Sequence, residues 1–306
     1  MNSVLRITTN IWYDGEPSLN GDVAVWRAYY GNDSNYVYRY KFSTGELIRL
    51  SDETFRDVSG SYIVTSGGNT YWLTTSENYR LYAAPVDSSS PVRTVTPPDL
   101  EAYNVDIDDG IIAYQTYGDY YEIHYADINA VAFTTVQITH GTDYSENPAI
   151  SNGVIAWEEY VDAQGNYEIF YYDINAAAPT LVQVSDNPDY DDKDVDIDDG
   201  IITWRASDGS DPEIYYADIS VGASTFVVVP VTDNAIYDYY PRVDNGLITW
   251  CADGDDTDYE VYYYDLNAAS PVVTQVTDNL VDDHYPVSAG GVIAWSTELA
   301  PYIAAP

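Results

Sequence analysis

Residues 146–187 read ENPAISNGVIAWEEYVDAQGNYEIFYYDINAAAPTLVQVSDN, and the order of signals in them decides the fold. Pro148 opens a short apolar run, Asn152-Gly153 interrupts it, and a second run closes on Trp157. Asn-Gly suits the left-handed dihedrals of a two-residue hairpin turn, so the two runs are a pair of strands, A and B. A third run, YEIFYYDI from Tyr167, is rich in β-branched and aromatic residues and reads as strand C. A fourth, LVQVS, ends on the hydroxyl of Ser185 and reads as strand D. No helical period appears in the stretch.

Working outward, the same order recurs along the whole chain. The closing aromatic is Trp26, Trp72, Tyr114, Trp157, Trp204, Trp250 and Trp295. Nine residues before each stands Pro17, Ile63, Val105, Pro148, Val195, Pro241 or Pro286. Strand D ends on Thr8, Ser51, Thr96, Thr139, Ser185, Thr232 and Thr277. Repeats of this length with four short strands each are the signature of propeller blades. The expected fold is all-β: a seven-bladed β-propeller of four-stranded blades, one domain over residues 1–306.

The ends are out of step by one strand. Thr8 precedes the first hairpin, whereas the last repeat has strands A, B and a short C from Pro301 but no D. Pairing the N-terminal strand with the last repeat makes the seventh blade from residues 284–306 plus 1–9 and leaves no open edge. The core follows from the same register. The residue before each closing aromatic is small or β-branched, as in Val25, Ala113, Ala156, Thr203, Thr249 and Ala294, with Tyr71 the exception. Successive side chains of a strand point to opposite faces, so each blade offers a knob on one face and a hole on the other.

Composition narrows the function. Fifty acidic residues against 11 basic ones give a net charge of −39, which repels phosphate backbones and anionic lipid; nucleic acid is excluded as a partner and membrane insertion is not expected. Hydrophobic residues at 45%, with 33 Tyr and 7 Trp, exclude disorder. Cys251 is the single cysteine and reads as a small buried residue. The opening MNSVLRITT lacks the basic, apolar and small-residue order of a signal peptide, so a secreted protein would be seen here in mature form.

The repeat resembles the TolB-type propeller family, whose unit runs Pro, apolar strand, Gly-turn, an Ile-Ala-Phe-like strand, an Asp/Gly-rich loop, Ile-Tyr-x-x-Asp and a Leu-Thr ending. The resemblance is loose in the second repeat, and the family's Ser-Pro-Asp-Gly turn is here Asn-Gly or Asp-Gly. TolB itself resembles a six-bladed ring with an added domain. The resemblance implies a periplasmic or cell-surface interaction scaffold and carries over no catalytic residue. Similar repeats also form the gating domain of prolyl-oligopeptidase-like enzymes.

The B–C and D–A loops emerge on one face, where function is expected. Tyr13, Asp14, Tyr144, Tyr190, Asp238, Tyr240, Asp283, His284 and Tyr285 are the expected ligand-binding residues of that face. Tyrosine there suits a glycan or a protein surface. Asp194, Asp196 and Asp198 alternate along one strand, echoed by Asp106 and Asp108, and such carboxylates could hold calcium, the one cofactor expected. The bland alternative is Asp-Gly turns and a salt bridge to Arg242 without metal. No G-x-S-x-G, phosphate-cradling loop or H-E-x-x-H occurs, so no catalytic residue is assigned. The expected function is a non-catalytic extracellular or cell-surface module that binds protein or polysaccharide. The alternatives are a glycan-active enzyme using loop-face carboxylates and a structural subunit of a surface layer or filament.

Overall fold

The structure is a computed structural model, and it describes residues 7, 13–20, 22–29, 35–49, 63–66, 69–74, 80–85, 93–94, 101–127, 135–187, 189–207, 209–222, 225–253, 258–297 and 302–304. All regular structure among them is β apart from a three-residue 3-10 turn at Ile219–Val221. The strands form seven antiparallel sheets in chain order, six of four strands and one of three. The first strand of each is Tyr13–Asn20, Ile63–Ser66, Tyr103–Asp108, Ser145–Ser151, Asp192–Asp198, Asp238–Asp244 and Asp283–Ala289. These first strands lie against one another in succession, and Tyr13–Asn20 also lies against Asp283–Ala289, so they are the innermost.

The A–B turns form as the dihedrals require. Both central residues have positive φ at Asp109-Gly110, Asn152-Gly153, Asp199-Gly200, Asn245-Gly246 and Gly290-Gly291, the geometry that matches the twist of a hairpin. Packing between sheets follows the knob-and-hole register. Trp26, Trp157, Trp204, Trp250 and Tyr114 are at most 1% exposed, and their small predecessors are equally covered. Each of these rings stacks on the residue facing it across strands B and C: Tyr38, Phe170, Tyr215, Tyr262 and His124, at 5.7–6.3 Å. His124 therefore occupies an aromatic core position, and burial lowers its pKa to about 4.

The seventh sheet departs from the expectation of seven four-stranded blades. It holds Asp283–Ala289, Val292–Thr297 and Tyr302–Ala304 and no fourth strand among the described residues. The segment expected to supply that strand lies outside the described residues apart from Ile7. What the structure shows plainly is an all-β propeller fold.

Candidate functional site

Five of the innermost strands, from Tyr103–Asp108 to Asp283–Ala289, carry the same irregularity. The pairing of strands A and B shifts register at Glu146/Ala149, Lys193/Asp196, Tyr239/Arg242 and His284/Val287. The extra residue is Asn104, Asn147, Asp194, Tyr240 or Tyr285, each with φ between 44° and 59°. A bulge of this kind bends the strand and re-aims a side chain. Asn and Asp tolerate the left-handed region; tyrosine there is strained, a state that collects at functional sites. The bulges stand near the loop-side ends of the innermost strands and form an inner rim at the mouth of the propeller.

One arc of the rim is polar and closed on itself. Asn104 Nδ2 donates to Gln115 Oε1 at 2.8 Å and to Asn147 Oδ1 at 2.5 Å. Asn147 Nδ2 donates to Glu158 Oε2 at 2.9 Å, and the Asp194 amide donates to Glu158 Oε1 at 2.7 Å. Lys193 Nζ stands 3.5 Å from Glu158, and Arg205 Nε donates to Asp194 Oδ2 at 2.7 Å. Glu158 is 1% exposed; burial raises its pKa, against the pull of Lys193 and Asn147.

The other arc is aromatic. Tyr240 and Tyr285 meet at 4.9 Å between ring centroids, and Tyr239 contacts Tyr237, Tyr240 and Tyr259 at 5.9–6.2 Å. His284 packs against Tyr259 at 4.6 Å and Tyr285 at 5.7 Å. Burial, reinforced by Tyr285, pushes the Tyr240 hydroxyl up to about 12. Arg205 joins the arcs, its guanidinium 5.3 Å over the Tyr239 ring while it holds Asp194. Cys251 lies beneath this arc, buried, with its thiol pushed up to about 12 by burial.

The expected binding residues therefore separate. Tyr240, His284 and Tyr285 converge in the aromatic arc. Tyr144 stands apart, against Tyr120 and Tyr121, and Tyr190 is apart as well, its carbonyl accepting from Asn166 at 2.7 Å. The side chains of Tyr13 and Asp14 lie outside the described residues. Asp238 and Asp283 are a correction: both are 1% exposed, because each opens strand A pointing into the seam with the preceding sheet. Asp238 Oδ1 accepts from Trp250 Nε1 at 2.8 Å and Oδ2 from Asn234 Nδ2 at 3.0 Å. Asp283 accepts from Asn279 Nδ2 at 2.7 Å. Burial, with Glu213 or Glu260 adding repulsion, raises Asp238 to about 7 and Asp283 to about 6.

These seams repeat one network. A glutamate early in strand C (Glu168, Glu213, Glu260) accepts from the backbone of the D–A loop at Asn187, Asn234 and Asn279, at 2.6–2.9 Å. The hydroxyl ending strand D (Thr139, Ser185, Thr232, Thr277) accepts from the strand C amide that follows the glutamate, at 2.8–2.9 Å. The hydroxyl repeat visible in the sequence is thus a lock at the edge of the sheet.

The proposed metal ligands are spread out rather than gathered. Asp194 is turned away at its bulge. Asp106 and Asp196 each accept from a backbone amide of the next inner strand, Ile150 at 2.7 Å and Val243 at 2.8 Å. Asp108 and Asp198 do the same for the turn residues Asn152 and Asn245, both at 2.6 Å. Burial raises Asp106 to about 7 and Asp196 to about 6, with Arg242 pulling both down. Among the described residues no three His, Cys, Asp or Glu side chains are grouped to hold a metal. His140 lines a separate cleft of about 300 Å³ with Asp143, Ser145 and Glu159.

No protein-family model matches the sequence, and no curated protein matches it. Solved structures do. A puromycin hydrolase superposes with a TM-score of 0.71 at 12% identity, over 95% of this chain and 51% of that one. A prolyl endopeptidase gives 0.71 at 11%, over 95% and 46%, and TolB from Acinetobacter baumannii gives 0.51 at 15%, over 93% and 80%. The chain spans about half the length of the two peptidases. These neighbours run against the expected non-catalytic extracellular recognition module; at these identities the likeness establishes the β-propeller fold alone.

Proposed function

We propose that this chain is a peptidase-associated propeller, a closed ring of seven TolB-like blades whose loop-side mouth admits or holds peptide substrate for a hydrolase domain. The observation that carries this reading is the superposition of nearly the whole chain on about half of each of two peptidases. The mouth suits such a task. Exposed tyrosine edges in the aromatic arc offer apolar contact for proline and other ring-bearing side chains.

Ring closure draws support from Ile7. The residue before the closing hydroxyl of strand D packs on the next sheet's tryptophan cluster at Val184, Val231 and Val276. Ile7 packs in the same way against Ala24, Trp26 and Ala28 of the first sheet. That is the place of a strand D belonging to the last blade.

The test is to purify the native polypeptide that bears this sequence and treat it with a fluorophosphonate probe while assaying prolyl and aminoacyl anilides. Labelling, and hydrolysis that the probe abolishes, are expected from that polypeptide or from a protein copurifying in fixed ratio. Absence of both would remove the peptidase association.

A further inference from the structure

Three seams between sheets carry the same two side-chain types at matching places. An asparagine stands two residues after the closing hydroxyl (Asn187, Asn234, Asn279), and an aspartate opens the strand A that follows (Asp192, Asp238, Asp283). Asn234 Nδ2 donates to Asp238 Oδ2 at 3.0 Å and Asn279 Nδ2 to Asp283 Oδ2 at 2.7 Å. Asn187, near Asp192, donates to the Ser207 carbonyl at 3.2 Å. The residue facing each aspartate on strand B is small: Ala206, Ala252 or Thr297.

The seam between the third and fourth sheets has both members cut back. Gly141 stands at the asparagine position and Ser145 at the aspartate position, and the cleft of about 300 Å³ opens there. The acid has moved across to strand B, where Glu159 faces Ser145. Trp157 Nε1 donates to Glu159 Oε2 at 2.7 Å, as Trp250 Nε1 donates to Asp238 in the sixth sheet. Ser145 Oγ donates to the same Oε2 at 3.3 Å, so Oε1 receives no bond among the described residues. Gly141 brings no side-chain amide to it. Burial raises the Glu159 pKa, the bonds from Trp157 and Ser145 oppose the rise, and Asp143 and Glu122 add to it. A cation in the cleft would satisfy the free oxygen and hold the carboxylate ionised.

We propose that this cleft binds an alkylguanidinium, its cationic head on Glu159 and Asp143 and its stem along Ile138 and Leu181. The volume lies at the low end of the roughly 300–1,000 Å³ of small-molecule sites, which suits one side chain or a small free cation. A metal ion is disfavoured, since among the described residues no three His, Cys, Asp or Glu side chains are grouped to hold one. A guanidinium suits acceptors that stand apart. It carries five N–H donors in a planar fork and leaves water more readily than an ammonium does. Leu181 and Ile138 give an apolar stem the contact that lets its head stay at the polar end. The site is separate from the aromatic arc and does not rest on the peptidase reading.

The experiment is titration of the full chain with n-butylguanidinium, followed by saturation-transfer NMR at pH 8, with n-butylurea as the uncharged counterpart. Sodium chloride at about 0.15 M screens the general pull of a chain of charge −39. Binding of the cation and not of the urea is expected. G141N/S145D/E159A writes the asparagine, aspartate and alanine of the sixth sheet into this seam and leaves the net charge unchanged. A Cβ at Gly141 meets nothing nearer than the Asp143 amide nitrogen at 3.4 Å, so the refilled seam should fold and should weaken binding by about tenfold or more. E159Q keeps an acceptor for Trp157 and should weaken binding as much; it decides alone if the triple variant does not fold. A blocked glycyl-arginyl-glycine peptide as competitor separates the sources of the group. Displacement assigns the cleft to an arginine side chain, and none assigns it to a free guanidinium. Equal binding of the urea, or butylguanidinium binding unchanged in the folded variants, would overturn the proposal.

Discussion

From Asn104 to Arg205 the inner rim is a chain of amides and charges bonded to one another; from Tyr239 to Tyr285 it is a patch of rings 4.6–6.2 Å apart. Both arcs rest on the same backbone device, a bulge residue with φ of 44–59° in each of five innermost strands. The difference lies in what holds the side chain once the bulge has aimed it. In the polar arc each group is fixed by directional bonds, so that arc is part of the fold. In the aromatic arc the contacts are non-directional and the rings keep exposed edges, with Tyr285 at 38%. A surface that can re-pack around a guest is the better binding surface.

The largest effect should fall on the polar arc. Glu158→Ala strips partners from Asn147, Lys193 and the Asp194 amide in a buried setting, and a loss of about 3–5 kcal/mol is expected in urea unfolding. Tyr285→Ala should cost about 1 kcal/mol or less, measured the same way. Equal losses would erase the distinction between the arcs.

The seams under the rim should answer to pH. Asp192, Asp238 and Asp283 have pKa values raised by burial to about 7, 7 and 6, from an ordinary value of 3.8. A raised carboxyl contributes stability that is complete below its unfolded pKa and is lost as pH rises through its folded value. In chelator, the urea midpoint should therefore fall between pH 4 and pH 7.5, and Asp238→Asn should flatten part of that slope. A midpoint that rises over this range would contradict the buried carboxyls.

Binding should discriminate in the opposite direction from stability. Replacing Tyr240 and Tyr285 together with alanine is expected to weaken fluorescent proline-containing peptides by about tenfold, roughly 1.4 kcal/mol, in an anisotropy titration. Gln115→Ala in the polar arc should leave that affinity alone. If the two responded equally, the aromatic arc would lose its special place.

The smallest effect is the most diagnostic of the shared bulge. Tyr240→Gly relieves positive-φ strain of about 1 kcal/mol and gives up a ring contact of similar size, so its net change should stay within about 0.5 kcal/mol. Asn147→Gly has little strain to relieve and gives up its bonds to Asn104 and Glu158, so it should destabilise by about 1–2 kcal/mol.

What the sequence determined by itself was local and periodic. The hairpin turns at Asn152-Gly153 and Asp199-Gly200, the tryptophan knobs such as Trp157 and the hydroxyl endings such as Ser185 are each specified by neighbours in the chain. Turn dihedrals and side-chain alternation are short-range, and repetition made them legible. The tertiary structure decided which acids and tyrosines face solvent. Asp238 and Asp283 look like loop residues beside Tyr240 and Tyr285, yet they turn into the seam, where the D–A loops offer Asn234 and Asn279 and the neighbouring strand offers Asp238 the indole of Trp250. Asp194 looks like a partner of Asp196, yet a bulge between Lys193 and Asp196 turns it to Arg205. One extra residue in a strand reverses the side that follows, and for Asp194 the partner that settles the outcome lies 11 residues away on the neighbouring strand.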